Sequence, residues 1–138
     1  MKMYFTDGSC SPNPGPGGFA VILDRKPVVL GKEKDSTNIR MEGQALIAAL
    51  KHADGEQCEI RTDSEFWINV VTKWAPGWEK KGWKKSKGEI KNLDIVKEIY
   101  ELYNNSKAKL VWVKAHVGTD GNELADEWAN KARKGSEI

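Results

Sequence analysis

Strand-like and helix-like runs follow one another here in an order that few folds accommodate. Three short apolar runs open the chain, at residues 3–6, 19–23 and 27–30, the last able to continue to residue 33, with no helical segment between them. Asp24, Arg25 and Lys26 form the turn between the second and third, and residues 8–18, with four glycines and three prolines, read as an irregular stretch after the first. From residue 37 the period changes. Thr37 or Asn38 can cap a helix to about Ala53, with Leu46, Ile47, Ala49, Leu50 and Ala53 at helical spacing and Gly55 as its stop. Residues 59–62 read as a strand ending at Asp63, and Ser64 caps a helix from Glu65 to about Lys73. Residues 74–91 are broken by Pro76, Gly77, Gly82 and Gly88 and are helical only in pieces. A helix over 93–105, a strand over 110–113, a loop over 116–121 and a helix over 122–133 complete the chain. Hairpins first and helical crossovers after predict an α/β protein: a mixed sheet, part antiparallel and part parallel, covered by helices.

Composition removes several classes of function. With 39% apolar residues and six tryptophans, the chain has too much to bury to remain disordered. The longest apolar run, residues 45–50, is far short of the roughly 20 residues of a membrane span. Residues 1–5 meet Asp7 with no signal-peptide pattern, so the expected setting is cytoplasmic. Cys10 and Cys58, 48 residues apart and without a CxxC, read as reduced thiols and not as a zinc site or disulfide framework. Residues 15–18 precede a strand, so they are no dinucleotide-binding loop, and there is no GxxxxGK[ST].

The net charge of +2 conceals an uneven distribution. Residues 73–91 hold seven lysines and two glutamates, a local +5, and the rest of the chain carries 15 basic and 18 acidic residues, a local −3. Trp74, Trp78 and Trp83 are interleaved with Lys73, Lys80, Lys81, Lys84, Lys85, Lys87 and Lys91. Lysines supply salt-dependent attraction to phosphates. The tryptophans can stack on sugars or bases, or pack the block onto the domain.

Four carboxylates are candidates for chemistry. Asp7 and Asp63 each follow a predicted strand, and parallel pairing of those strands would bring both to one sheet edge, where α/β proteins build their sites. Singly, each also fits a cap or turn. Glu42, placed in the first turn of its helix, lies four residues before Leu46 and shares its core-facing side; the helix dipole alone could also favour it there. Asp126 neighbours Ala125 and Trp128 on the last helix, and an exposed helical Asp would look the same. Together the four would repel one another unless cations compensated. Hard oxygen ligands suit Mg²⁺ or Mn²⁺, and two such ions are the arrangement that hydrolyses phosphodiesters. His116, in the loop after a strand, could move protons near neutral pH, or be a plain surface residue.

These residues resemble ribonuclease H of the type 1, bacterial-like class over nearly the whole chain. The resemblance rests on Tyr4-Phe5-Thr6-Asp7-Gly8-Ser9, on Thr37-Asn38-Ile39-Arg40-Met41-Glu42, on Thr62-Asp63-Ser64, and on Val113-Lys114-Ala115-His116 with Asn122-Glu123-Leu124-Ala125-Asp126, in the family's order and spacing. Residues 74–92 resemble the basic protrusion of many members. The resemblance implies a single ribonuclease H domain over 1–138, with a five-stranded mixed sheet in the order 3-2-1-4-5 flanked by helices. It implies an endonuclease, a hydrolase that cuts the RNA strand of RNA–DNA hybrids to leave 3′-hydroxyl and 5′-phosphate ends, acting as a cytoplasmic monomer without membrane contact. Asp7, Glu42, Asp63 and Asp126 would hold two Mg²⁺ ions, with Mn²⁺ as a substitute. Asp7 would be shared, Asp63 would serve the ion that activates water, and Glu42 with Asp126 the ion facing the leaving oxygen. His116 would assist proton transfer and product release. Asn13 and Asn38 would touch RNA 2′-hydroxyls; Phe66, Trp74 and Trp78 would line a DNA channel; Thr37 with Asn92 would hold a DNA phosphate; and Lys80, Lys81, Lys84 and Lys85 would attract the duplex. The chain departs from many members at Ile39, where an amide is common, and in its short loop after His116, and 138 residues leave no room for a separate hybrid-binding module. A DNA-acting relative such as a resolvase or integrase would have less use for Asn13, Asn38 and the basic block. A non-enzymatic hybrid- or duplex-RNA-binding module would have no use for four carboxylates.

Overall fold

The computed structural model describes residues 1–84, 88–114 and 120–137. Its strands are β1 (Lys2–Cys10), β2 (Gly15–Leu23), β3 (Lys26–Ser36), β4 (Cys58–Thr62) and β5 (Ala108–Trp112), and its helices α1 (Asn38–Ala53), α2 (Glu65–Asn69), α3 (Ala75–Lys80), α4 (Leu93–Asn104) and α5 (Asp120–Arg133). The strands form one sheet in the order β3-β2-β1-β4-β5. β2 pairs antiparallel with β1 and β3, whereas β4 runs parallel to β1 and to β5. This is the expected order, and it matches the switch from hairpins to helical crossovers along the chain.

β1 and β2 extend further into the Gly/Pro-rich stretch than the sequence predicts, leaving only residues 11–14 between them. The glycines there are points of close approach, not chain breakers. A Cβ on Gly8 would overlap the Met41–Glu42 backbone of α1, and one on Gly18 would overlap the Ala129 and Arg133 backbone of α5. Both helices therefore lie directly on strand backbone. The β2–β3 turn needs only Asp24 and Arg25, at φ of 52° and 65°, the left-handed pair that a two-residue hairpin requires.

Side chains alternate across β1. Tyr4 and Gly8 face α1, and Phe5 and Ser9 face α5. The α1 side carries the main core, with Tyr4, Leu46, Leu50, Ile60, Trp67, Val70, Ile95 and Ile99 buried in one cluster. The Trp67 indole N–H donates to the Ile39 carbonyl at 2.7 Å and ties α2 to the start of α1.

Two local expectations are corrected and a third is refined. Thr37 caps α1, its Oγ1 accepting the Arg40 N–H at 3.1 Å, and no acidic residue lies in the first turn. Glu42 is the fifth residue of the helix, so the dipole is not what places it. The left-handed end of α1 begins already at Asp54, φ 50°, and takes in the expected Gly55, φ 81°. The helix starting at Glu65 does not stop near Lys73: it widens into a π-helical turn at Val70–Trp74 and continues as α3. Pro76 falls where the π-helical turn passes into α3, at the first positions of that segment. No helix among the described residues is long and apolar enough to cross a membrane.

Candidate active site

The last parallel pair between β1 and β4 is Thr6 with Thr62, so Asp7 and Asp63 are the next residues on adjacent strands. Asp7 thus lies within β1 and not after it, but at the sheet edge the sequence predicted. It is only 5% exposed, and the Gly8 N–H donates to its Oδ1 at 2.9 Å. Asp63 leads into a tight turn in which the Ser64 N–H donates to Thr62 Oγ1 at 3.1 Å and Ser64 Oγ caps α2 by accepting the Trp67 N–H at 3.3 Å. The Trp112 indole donates to the Asp63 carbonyl at 3.3 Å. Glu42 comes from α1, which Gly8 admits close to β1, and its side chain hydrogen-bonds to Ser64 and Asp63.

One carboxylate oxygen from each of Asp7, Glu42 and Asp63 lies within 4.8 Å of the other two. Asp126 stands outside this triplet, on α5, but its charge bears on Asp7. Burial, and then the Asp63 carboxylate, push Asp7 up to about 9; Glu42 and Asp126 add to this and the Gly8 N–H opposes it. Burial, and then Asp63, push Glu42 up to about 7 against the Ser64 hydroxyl. Three close carboxylates, two of them driven toward their protonated forms, are a site that a small hard cation would relieve. An all-oxygen donor set fits Mg²⁺ or Mn²⁺. His116 lies outside the described residues.

The other predicted site residues fall into two groups. Asn13 and Asn38 meet where the β1–β2 loop crosses the start of α1. Asn13 Oδ1 accepts the Asn38 N–H at 3.2 Å, and Asn38 Oδ1 accepts the Cys10 N–H at 2.6 Å. On the other side of α1, Phe66, Trp74 and Trp78 form a row with ring centroids 5.9 and 6.2 Å apart. Phe66 and Trp74 are 39% and 41% exposed. They line a cavity of about 510 Å³ with Ile39, Lys81, Lys84 and Asn92, beside the carboxylates and not over them. Trp83 takes the packing role instead, edge-on to Tyr100 of α4 at 5.7 Å. Lys80 is exposed, and Lys85 and Lys87 lie outside the described residues.

Sequence reasoning missed two contributors. Ser64 was legible only as a helix cap, yet it also hydrogen-bonds to Glu42. Arg40 joins Thr37 and Asn92: its guanidinium donates to Asn92 Oδ1 at 3.2 Å and grips both oxygens of Asp94 at 3.1–3.2 Å. Those partners are 52 and 54 residues away, and no local pattern announces them.

A family model described as RNase H matches residues 1–134. A ribonuclease H of Francisella tularensis subsp. novicida (strain U112) is 44% identical over 134 residues, covering 93% of this chain and 88% of that protein. A ribonuclease H of Methylorubrum extorquens (strain PA1) is 38% identical over 136 residues, covering 96% of this chain; the match spans 60% of that longer relative. Among solved structures, LC9-RNase H1, described as a type 1 RNase H with the type 2 active-site motif, superposes with a TM-score of 0.85 at 27% identity, over 99% of this chain and 73% of that one.

Proposed function

The chain belongs to the ribonuclease H family of enzymes, and we propose that it is a metal-dependent endoribonuclease that hydrolyses the RNA strand of RNA–DNA hybrids. The observation that carries this reading is the triplet of buried Asp7 with half-buried Glu42 and Asp63, their oxygens within 4.8 Å of one another and Asp126 nearby. These four would hold two divalent ions, Mg²⁺ or in its place Mn²⁺, which when bound supply a more acidic water and offset charge on the leaving oxygen. Asp7 would be shared between the two ions, Asp63 would serve the one that activates water, and Glu42 with Asp126 the one that faces the leaving oxygen. His116 would assist proton transfer, by giving a proton to the leaving oxygen, and product release, and the products would carry 3′-hydroxyl and 5′-phosphate ends.

Substrate choice comes from the flanking residues. Asn13 and Asn38, which brace each other, offer amides to RNA 2′-hydroxyls. Phe66, Trp74 and Trp78 form a surface for deoxyribose, and Thr37, Arg40 and Asn92 gather around one phosphate. Lys80, Lys81, Lys84 and Lys85 supply salt-dependent attraction. Residues 1–138 act as one domain with a basic protrusion at 74–92, as a cytoplasmic monomer. The test is a cleavage assay on labelled RNA–DNA hybrid, duplex RNA and duplex DNA, each with Mg²⁺, Mn²⁺ or EDTA. Cutting of the hybrid's RNA strand alone, abolished by EDTA, is expected. Cleavage in EDTA, or equal cutting of duplex DNA, overturns the proposal.

A further inference from the structure

Asp126 differs from its three partners in how it is held. Asp7, Glu42 and Asp63 are brought together by strand pairing, by the Gly8 contact and by the hydrogen bonds of Glu42 to Ser64 and Asp63. Asp126 arrives on α5, across the opposite face of the sheet. Besides the packing of its buried alanines, a short polar chain one turn beyond Asp126 ties α5 to β1. Asn130 Nδ2 donates to the Asp126 carbonyl at 3.1 Å, Ser9 Oγ donates to Asn130 Oδ1 at 2.6 Å, and Arg133 Nε donates to Ser9 Oγ at 3.3 Å.

The direction of this chain is forced. A backbone carbonyl cannot donate, so the amide nitrogen of Asn130 must face Asp126. Its oxygen then faces Ser9, whose hydroxyl must donate and is left to accept from the guanidinium. All three side chains are half-buried, which raises the cost of losing a member. Ser9 is two residues beyond Asp7 on β1, and its register partner is Gly18, the position where α5 backbone lies against β2. The chain therefore links the strand that carries Asp7 to the helix turn that carries Asp126, at the point of closest approach.

We propose that Asn130, acting through Ser9, is a positioning residue that sets the placement of Asp126 relative to Asp7 and so the affinity of the ion these two carboxylates share. This inference rests on the metal-dependent reading above. Asn130 touches no substrate and holds no ion; its effect is on where α5 stops along β1.

The test is a Mn²⁺ titration by calorimetry on the metal-free full chain, together with steady-state cleavage of hybrid as a function of Mg²⁺. Asn130→Ala and Ser9→Ala should each weaken Mn²⁺ binding by about tenfold, the scale seen when a group that orients a metal ligand is removed. Both should lower turnover at limiting Mg²⁺, recover at saturating Mg²⁺, and leave KM for the hybrid unchanged. Ser9→Thr keeps the hydroxyl and should restore wild-type binding. The Ser9→Ala/Asn130→Ala double variant should be no weaker than either single one, because both interrupt one path. If Asn130→Ala does not fold, the Ser9→Ala and Ser9→Thr pair decides. Variants that lose thermal stability but titrate as the wild type does overturn the inference while leaving the function intact. A wild type that neither binds Mn²⁺ nor cuts hybrid overturns both.

Discussion

Asp7 is 5% exposed on the central strand of the sheet, and Trp74 is 41% exposed at the end of a widened helical turn. Each sits in an arrangement that the folded chain alone leaves unfavourable. Around Asp7 the cost is electrostatic: carboxylates from β1, α1 and the end of β4 are forced together. Around Trp74 the cost is hydration, because a row of rings faces water over a cavity of about 510 Å³. The first is relieved by a cation and the second by covering with something flat or apolar. The scaffolds differ to match. On the proposed function, chemistry that depends on sub-ångström placement is built on paired strands and glycine-mediated packing, and binding that tolerates sliding on an irregular helix and a lysine-rich segment.

The largest effect that separates the two regions comes from Asp7→Asn. On the proposed function it removes the charge of one metal-holding carboxylate and leaves the basic surface intact, so cleavage should fall by roughly a thousandfold or more while hybrid affinity is kept; a single-turnover assay beside a gel-shift titration measures both, and near-normal turnover would break the division of labour. Replacing Lys80, Lys81, Lys84 and Lys85 by Ala should do the reverse. KM should rise steeply at physiological salt, the slope of log affinity against log salt should flatten by about one for each phosphate left without its lysine, and kcat should hold. Trp74→Ala should cost about 1–3 kcal/mol of hybrid affinity, as removal of one stacking ring does, whereas Trp83→Ala should lower thermal stability first, since its ring packs on Tyr100.

The remaining effect is on stability, and its sign is opposite to that of ordinary paired carboxylates. Asp7 titrates near 3.8 when unfolded and is held at about 9 in the folded chain, and Glu42 moves from 4.5 to about 7. The folded state thus binds more protons than the unfolded one between about pH 4 and pH 9. Stability contributed by the protonated site is complete below pH 4 and declines as pH rises through that window. Melting curves of metal-free protein should show this decline, Asp7→Asn should flatten it, and Mg²⁺ should offset it while releasing protons. A metal-free melting temperature that climbs steadily from pH 5 to pH 8 would show that the carboxylates are paired with something other than one another.

The sequence made the parallel pairing of β1 with β4 readable because Asp7 and Asp63 each follow an apolar run, whereas the full strand order came from the family resemblance. The lengths of β1 and β2 were not readable. Gly8, Gly17 and Gly18 look like breakers until helices are seen lying on them. Glu42 was recognisable as core-facing, but its turn was misassigned because Thr37 does the capping and Asn38 is spent on the Cys10 N–H. Arg40 with Asn92, and Ser9 with Asn130, escaped notice because their partners are 52 and 121 residues apart. Pairings of that span are set by how helices dock, which no local period records.

The π-helical turn at Val70–Trp74 has one more effect. Phe66, Val70, Trp74 and Trp78 recur every four residues and all line the same cavity. On a regular helix each four-residue step overshoots a full circle by about 40°, so a fourth member would have swung well away from the first. The wider turn winds part of that overshoot back and keeps the row straight. A one-residue deletion within 70–74 should therefore act as a rudder, steering the aromatic row off its heading while the strands that carry the carboxylates, held by a separate set of interactions, stay on course.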